Sequence, residues 1–98
     1  MEKENINVKQ VAIKDVVGEV MDIFSYEDVQ AEINGEIVYG VRLNVNCMDE
    51  ALNVNTSSKV IIDRMHNLPK AKFPLRAKVE QRMSKQGWKY YVLVDVED

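Results

Sequence analysis

The chain is poor in the residues that most protein chemistry requires. One cysteine, Cys47, and one histidine, His66, stand in 98 residues. A zinc site takes about four N, S or O ligands, and no Cys/His cluster is there to supply them. Cys47 alone cannot close an internal disulfide, and a single thiol among five methionines fits a reducing compartment. The four glycines, Gly18, Gly35, Gly40 and Gly87, are scattered, so there is no glycine-rich phosphate loop. No apolar run approaches the length that spans a bilayer, and no basic segment leads into an apolar one near the start. Neither a membrane span nor a signal peptide is therefore expected, and the expected location is the cytoplasm. A Cys47–His66 nucleophilic pair is disfavoured, because Cys47 continues an apolar alternation and reads as a small core residue. The acidic pairs Glu27-Asp28 and Asp49-Glu50 fall in predicted loops, where carboxylates are usually solvated. Neither an enzyme nor a cofactor is expected.

What the chain does have is an uneven charge. Residues 1–50 carry four bases against eleven acids, and residues 51–98 carry nine against five. The overall −3 thus conceals a basic stretch over 59–89, with nine bases and only Asp63 and Glu80 opposing them. A local basic stripe sets a contact field even in an acidic protein. Within it, Lys70, Lys72, Arg76, Lys78, Arg82, Lys85 and Lys89 are interleaved with Trp88, Tyr90 and Tyr91. Cations beside flat rings suit a polymer with a charged backbone and stackable bases, which describes single-stranded nucleic acid. The competing account is an amphipathic hairpin with solvated charge outside and rings in the core.

The length is that of one domain with a single modest core. Residues 1–10 are polar and read as a loose lead-in, and residues 11–98 as the domain. Val16–Phe24 reads as a strand bent at Gly18. Val29–Ile33 alternates up to Asn34-Gly35, the strongest short-range hairpin signal. Ile37, Tyr39, Val41, Leu43, Val45 and Cys47 then share one face, expected to be buried. After a turn at Met48–Glu50, residues 51–56 alternate again. Residues 57–68 fit a short helix capped by Ser57 or Ser58 and stopped by Pro69, although Lys59–Ile62 is also β-prone. Leu75, Ala77, Val79, Gln81 and Met83 are expected inside the next strand, with Arg76, Lys78, Glu80 and Arg82 outside. Past Ser84–Gly87, the inward set is expected to be Trp88, Tyr90, Val92, Val94 and Val96, with Lys89, Tyr91 and Leu93 opposite.

The expected fold is therefore mainly β: a small five-stranded barrel with one short helix between strands three and four. That order resembles an OB-fold over about residues 11–97. Small OB-fold single-stranded-DNA-binding proteins, of the kind that serve DNA replication in phages and mobile elements, look similar in size and organisation. The resemblance implies a strand bound across the second and third strands, between the loop from Ser25 to Gly35 and the loop Ser84–Gly87. On those strands Arg42, Asn44, Asn53 and Asn55 would face the ligand, with Tyr26, Trp88 and Tyr91 stacking and Arg76, Lys78, Arg82, Lys85 and Lys89 meeting phosphate. The expected activity is non-enzymatic binding of single-stranded nucleic acid, DNA first. A homodimer or higher oligomer would add avidity, with the long Val29–Val45 hairpin making the contact. The alternative is a protein-interaction module that meets a basic partner through Glu27, Asp28, Glu32 and Glu36.

Overall fold

In the computed structural model, which describes residues 8–97, six strands form one sheet that curls into a half-barrel around a single helix. The strands are β1 (Lys9–Ala12), β2 (Val20–Ile33), β3 (Glu36–Cys47), β4 (Glu50–Thr56), β5 (Leu75–Met83) and β6 (Lys89–Asp95). The helix α1 (Lys59–Asn67) lies between β4 and β5. The sheet order is β1-β4-β3-β2-β5-β6, antiparallel except where β1 runs parallel to β4. Six strands replace the five expected, because Lys9 and Gln10 of the expected lead-in join Val11 and Ala12 in pairing with Leu52–Asn55. Residues 1–7 of that expected lead-in lie outside the described residues.

β2 corrects the sequence reading most. Residues 13–16 form a 3-10 turn, Gly18 takes φ +87°, and the strand begins only at Val20. It then runs unbroken to Ile33, so Ser25–Asp28 is strand, not loop. Those residues are polar because one side faces solvent and the other meets polar partners: Arg42 Nη1 donates to Glu27 Oε1 at 2.6 Å, and His66 Nε2 lies 2.7 Å from Asp28 Oδ1. A bulge between Ile23 and Ser25 reverses the alternation. Before it Met21 and Ile23 point inward; after it Tyr26 does, opposite Leu43. A bulge inserts one unpaired residue, and Phe24, about half exposed, is that residue.

The core lies between the inner face of the sheet and α1. Met21, Ile23, Val41, Leu43, Val54, Ala77 and Val79 close from the strands, and Ile61 and Met65 from the helix. Helix, not strand, is the outcome for residues 59–67, since the spacing Ile61–Met65 puts both side chains on one helical face. Arg64 ties the helix to β6: its Nη1 donates to Leu93 O at 2.7 Å and its Nη2 pairs with Asp95.

Two faces differ from expectation. In β6 the inward residues are Tyr91 and Leu93, because the register sets Leu93 against buried Val79. Trp88 is 72% exposed, and Tyr90, Val92 and Val94 belong to the outer face. Both parities of this segment are apolar, so alternation alone could not choose. In β5, Gln81 and Met83 keep the inward parity but run beyond the core and are exposed.

The second difference is an overhang. β4 ends at Thr56 opposite Val41, and β5 leaves β2 after Ile23. From Val29–Gly40 to Ile33–Glu36, over five residue pairs, β2 and β3 pair with each other and with no other strand among the described residues. At about 3.4 Å per residue the arm projects roughly 17 Å. Ile37 and Tyr39, expected inside, are 57% and 65% exposed on it. Gly40 marks its foot: a Cβ there would lie 2.6 Å from Thr56 O, so no side chain fits without moving β4.

Candidate functional site

β1 and β6 are the two edges of the sheet, and the gap between them is the site. The end of β1 with the turn after it, the β4–α1 junction and the first residues of β6 enclose a cleft of about 510 Å³. Ser58, the residue before α1, does not cap the helix with its side chain. Its Oγ donates instead to Tyr91 O at 3.1 Å and spans the gap. Thr56 Oγ1 accepts from the Ser58 backbone N–H at 3.0 Å and holds that junction.

Three cations line the cleft, one from each side: Lys14, Lys59 and Lys89. Among the described residues no carboxylate lines it, and none of the three lysines forms an ion pair. Tyr90 and Tyr91, from opposite faces of β6, line it too, and so do Ser57 and Ser58. Adjacent to this edge, the β5–β6 turn presents Trp88. Gly87 takes φ +87° there, and Ser84 N–H donates to Trp88 O at 2.8 Å while Trp88 N–H donates to Ser84 Oγ at 3.1 Å. Pinned by both bonds, the turn displays an indole beside Lys85 and Lys89, all three exposed. On the outer face next to it, Tyr90 stands opposite Arg82, and Lys78 opposite Val94.

The sequence-derived residues thus divide into groups. Asn55, Lys89 and Tyr91 meet in the cleft; Trp88 and Lys85 sit at the neighbouring turn. Lys14, Lys59, Ser57, Ser58 and Tyr90 line the cleft without having been singled out as site residues. Lys14 and Lys59 lie 45 residues apart, and only the parallel β1–β4 pairing brings their segments together, so no local pattern could reveal them. Arg42, Asn44, Asn53 and Asn55 do share the outer face of β3 and β4. Most of their polar groups, however, are already engaged. Arg42 donates to Glu27 and, through Nε, to Asn55 Oδ1 at 3.2 Å; Asn55 Nδ2 donates to Gln10 Oε1 at 3.1 Å; Asn44 Nδ2 donates to Ser25 Oγ at 2.7 Å. Tyr26 packs inward, its ring centroid 5.9 Å from that of His66 and 6.3 Å from that of Phe73. Arg82 pairs with Glu80 at 3.1 Å, and Arg76 also has a partner.

The loops on either side of the expected binding face are also far apart along the strands. The β2–β5 register puts Lys78 opposite Val20, so the β5–β6 turn lies past the start of β2, while the arm extends past its end.

A domain family described as "Domain of unknown function (DUF8468)" matches residues 7–94, nearly the whole chain. The chain belongs to that family. No curated protein and no solved structure matches it. The cleft of this DUF8468 domain is built from Ala12 to Tyr91, all within the matched residues, so the site belongs to the family domain and not to an appendage.

Other chemistry in the DUF8468 domain is confined by burial. Among the described residues no group of three or more His, Cys, Asp or Glu side chains is placed to hold a metal ion, and no helix is long and apolar enough to cross a membrane. Cys47 is 1% exposed. Burial, and then the carboxylates of Glu19 and Glu50, push its thiol above the ordinary value of 9.0. The folded protein therefore keeps this proton at a pH where the unfolded chain has released it. The resulting contribution to stability is present in full below about pH 9 and declines as pH rises beyond it. Urea midpoints measured between neutral and alkaline pH are expected to fall more steeply above that value in the wild type than in Cys47→Ala. Parallel curves would contradict the assignment.

Proposed function

We propose that this DUF8468 domain is a non-enzymatic binder of single-stranded nucleic acid, DNA in the first place, and that the strand lies along the cleft between β1 and β6. One observation carries the reading: three lysines, with no carboxylate beside them among the described residues, line a cleft that Tyr90 and Tyr91 also line. Phosphate attracts cations that are not already neutralised, and bases stack on flat rings, worth about 1–3 kcal/mol per base. Trp88, Lys85 and the Arg82–Tyr90 pair extend the path along the β5–β6 hairpin.

The fold supports the same reading. With β1 set aside, the order is three strands, a helix and two strands, that of an OB-like barrel. Such barrels commonly bind across their second and third strands. Here that face carries the bonded ladder Glu27–Arg42–Asn55–Gln10, whose groups would have to exchange partners to meet a ligand. Our reading therefore moves the strand to the seam.

The test is a titration with an unstructured thymidine oligomer, followed by the fluorescence of Trp88, the only tryptophan. Saturable quenching that weakens as salt rises is expected, because counterion release drives much of such binding. Absence of both quenching and a gel shift at low salt would overturn the proposal.

A further inference from the structure

The arm offers a second surface of a different kind. A two-stranded ribbon alone in water is marginal at best, and this one carries Ile33, Ile37, Val38 and Tyr39 exposed. Its expected acidic character is largely spent inside the molecule, Glu27 on Arg42 and Asp28 on His66. Where β4 stops at Thr56, the edge of β3 from Glu36 to Gly40 has no strand neighbour among the described residues. A groove of about 350 Å³, lined in part by Val38, Tyr39, Gly40 and Thr56, lies along it. Edge strands are normally protected by lysine, proline or bulges, and Ile37-Val38-Tyr39-Gly40 has none of them.

We infer that this edge pairs antiparallel with the same edge of a second copy of the chain, making a two-fold symmetric dimer with Val38 on the axis. The register follows from what is free. Val41 already faces Thr56, so only 36–40 is available, and the midpoint of five residues is Val38. Self-pairing then sets Ile37 against Tyr39 of the second copy, an aromatic beside a β-branched residue, a favourable cross-strand combination.

Charge distinguishes this edge from the other side of the arm. The free stretch of β2 carries Glu32 on the arm and, at its foot, Glu27 and Asp28, whose side chains already hold Arg42 and His66 and would have to be disturbed by pairing there. The β3 edge carries Glu36 alone, and antiparallel pairing puts the two copies of it at opposite ends, each facing a glycine.

The area sets the size class of the interface. Five paired residues with their flanking side chains bury roughly 800–1,000 Å² in total, under the ~1,200 Å² where standard stable interfaces begin. The dimer is accordingly a weak one, and nearly independent of salt because no charge pair holds it.

Sedimentation velocity of the full chain, without nucleic acid, from low to several hundred micromolar, tests this. The wild type is expected to pass from monomer to dimer across that range. Val38→Lys, which would set two ammonium groups against each other on the axis, is expected to raise the dissociation constant at least tenfold. Its melting temperature should stay within a few degrees of wild type, since Val38 touches none of the core. In a Cys47→Ala background, a short bis-maleimide is expected to link Val38→Cys to itself and to leave Glu32→Cys monomeric. A wild-type monomer at every concentration, an undiminished dimer in Val38→Lys, or linkage through position 32 would each overturn the inference. Oligonucleotide affinity measured at low micromolar protein is a separate readout, so loss of the dimer and loss of binding at the seam are told apart.

Discussion

Replacing Lys14, Lys59 and Lys89 together by glutamine is expected to cut the affinity for a thymidine oligomer about 100-fold at low salt. The same variant should flatten the dependence of log affinity on log salt by about 2, at roughly 0.7 per phosphate contact on a single strand. The two numbers belong together. A lysine that only raises the overall potential changes affinity while hardly changing the slope, whereas one that displaces a counterion from phosphate changes both. All three side chains are exposed and without ion pairs among the described residues, so stability should stay within about 0.5 kcal/mol of wild type. Arg42→Gln is the control. Its guanidinium is held by Glu27 and Asn55 on the outer face, and its loss is expected to change affinity less than threefold. An unchanged salt slope in the triple variant, or a larger effect from Arg42, would return the strand to the β3–β4 face.

The second large effect concerns stability. Leu43 and Ile37 lie on the same strand with the same parity, and the sequence alone treats them alike. Leu43 is fully buried under α1, and Leu43→Ala is expected to cost 2–5 kcal/mol, a large part of the ~5–15 kcal/mol available to a small domain. Ile37→Ala, on the arm, should fall within about 0.5 kcal/mol, measured at low micromolar protein where the arms are separate. Urea denaturation of the two variants side by side decides it. Comparable losses would mean that the arm folds back against the body.

That pair of residues also shows what the sequence can and cannot convey. Alternation from Ile37 to Cys47 correctly marks one strand and one set of faces, because the period-2 geometry of a strand is local. Where burial begins along it is set by the length of β4, whose last paired residue, Thr56, covers Val41 and nothing earlier. The helix was legible only in part, since Ile61 and Met65 stand one turn apart while Lys59–Ile62 is also β-prone, and packing of both side chains on the sheet decides for helix. Polar composition misled at Ser25–Asp28, where the side chains are polar because they serve partners 15 and 38 residues away. β6 misled for the opposite reason, since apolar side chains on both faces erase the contrast that alternation depends on. At the seam, Lys89 and Tyr91 could be singled out in a cationic, aromatic stretch. Lys14 and Lys59 could not, because their proximity is a property of the parallel pairing of β1 with β4.

The seam has one more consequence. A ring that encloses its ligand must be threaded from an end or must open. Here β1 and β6 do not pair with each other among the described residues, and β6 is tied instead to the helix side of the seam, by Ser58 to Tyr91 O and by Arg64 to Leu93 O and Asp95. If the seam holds a strand as proposed, that strand would be laid in from the side at any point along its length, and lifted out the same way. A covalently closed circle would then be as accessible as a linear fragment. Each copy would also arrive between two neighbours already seated, with no queue forming at the termini.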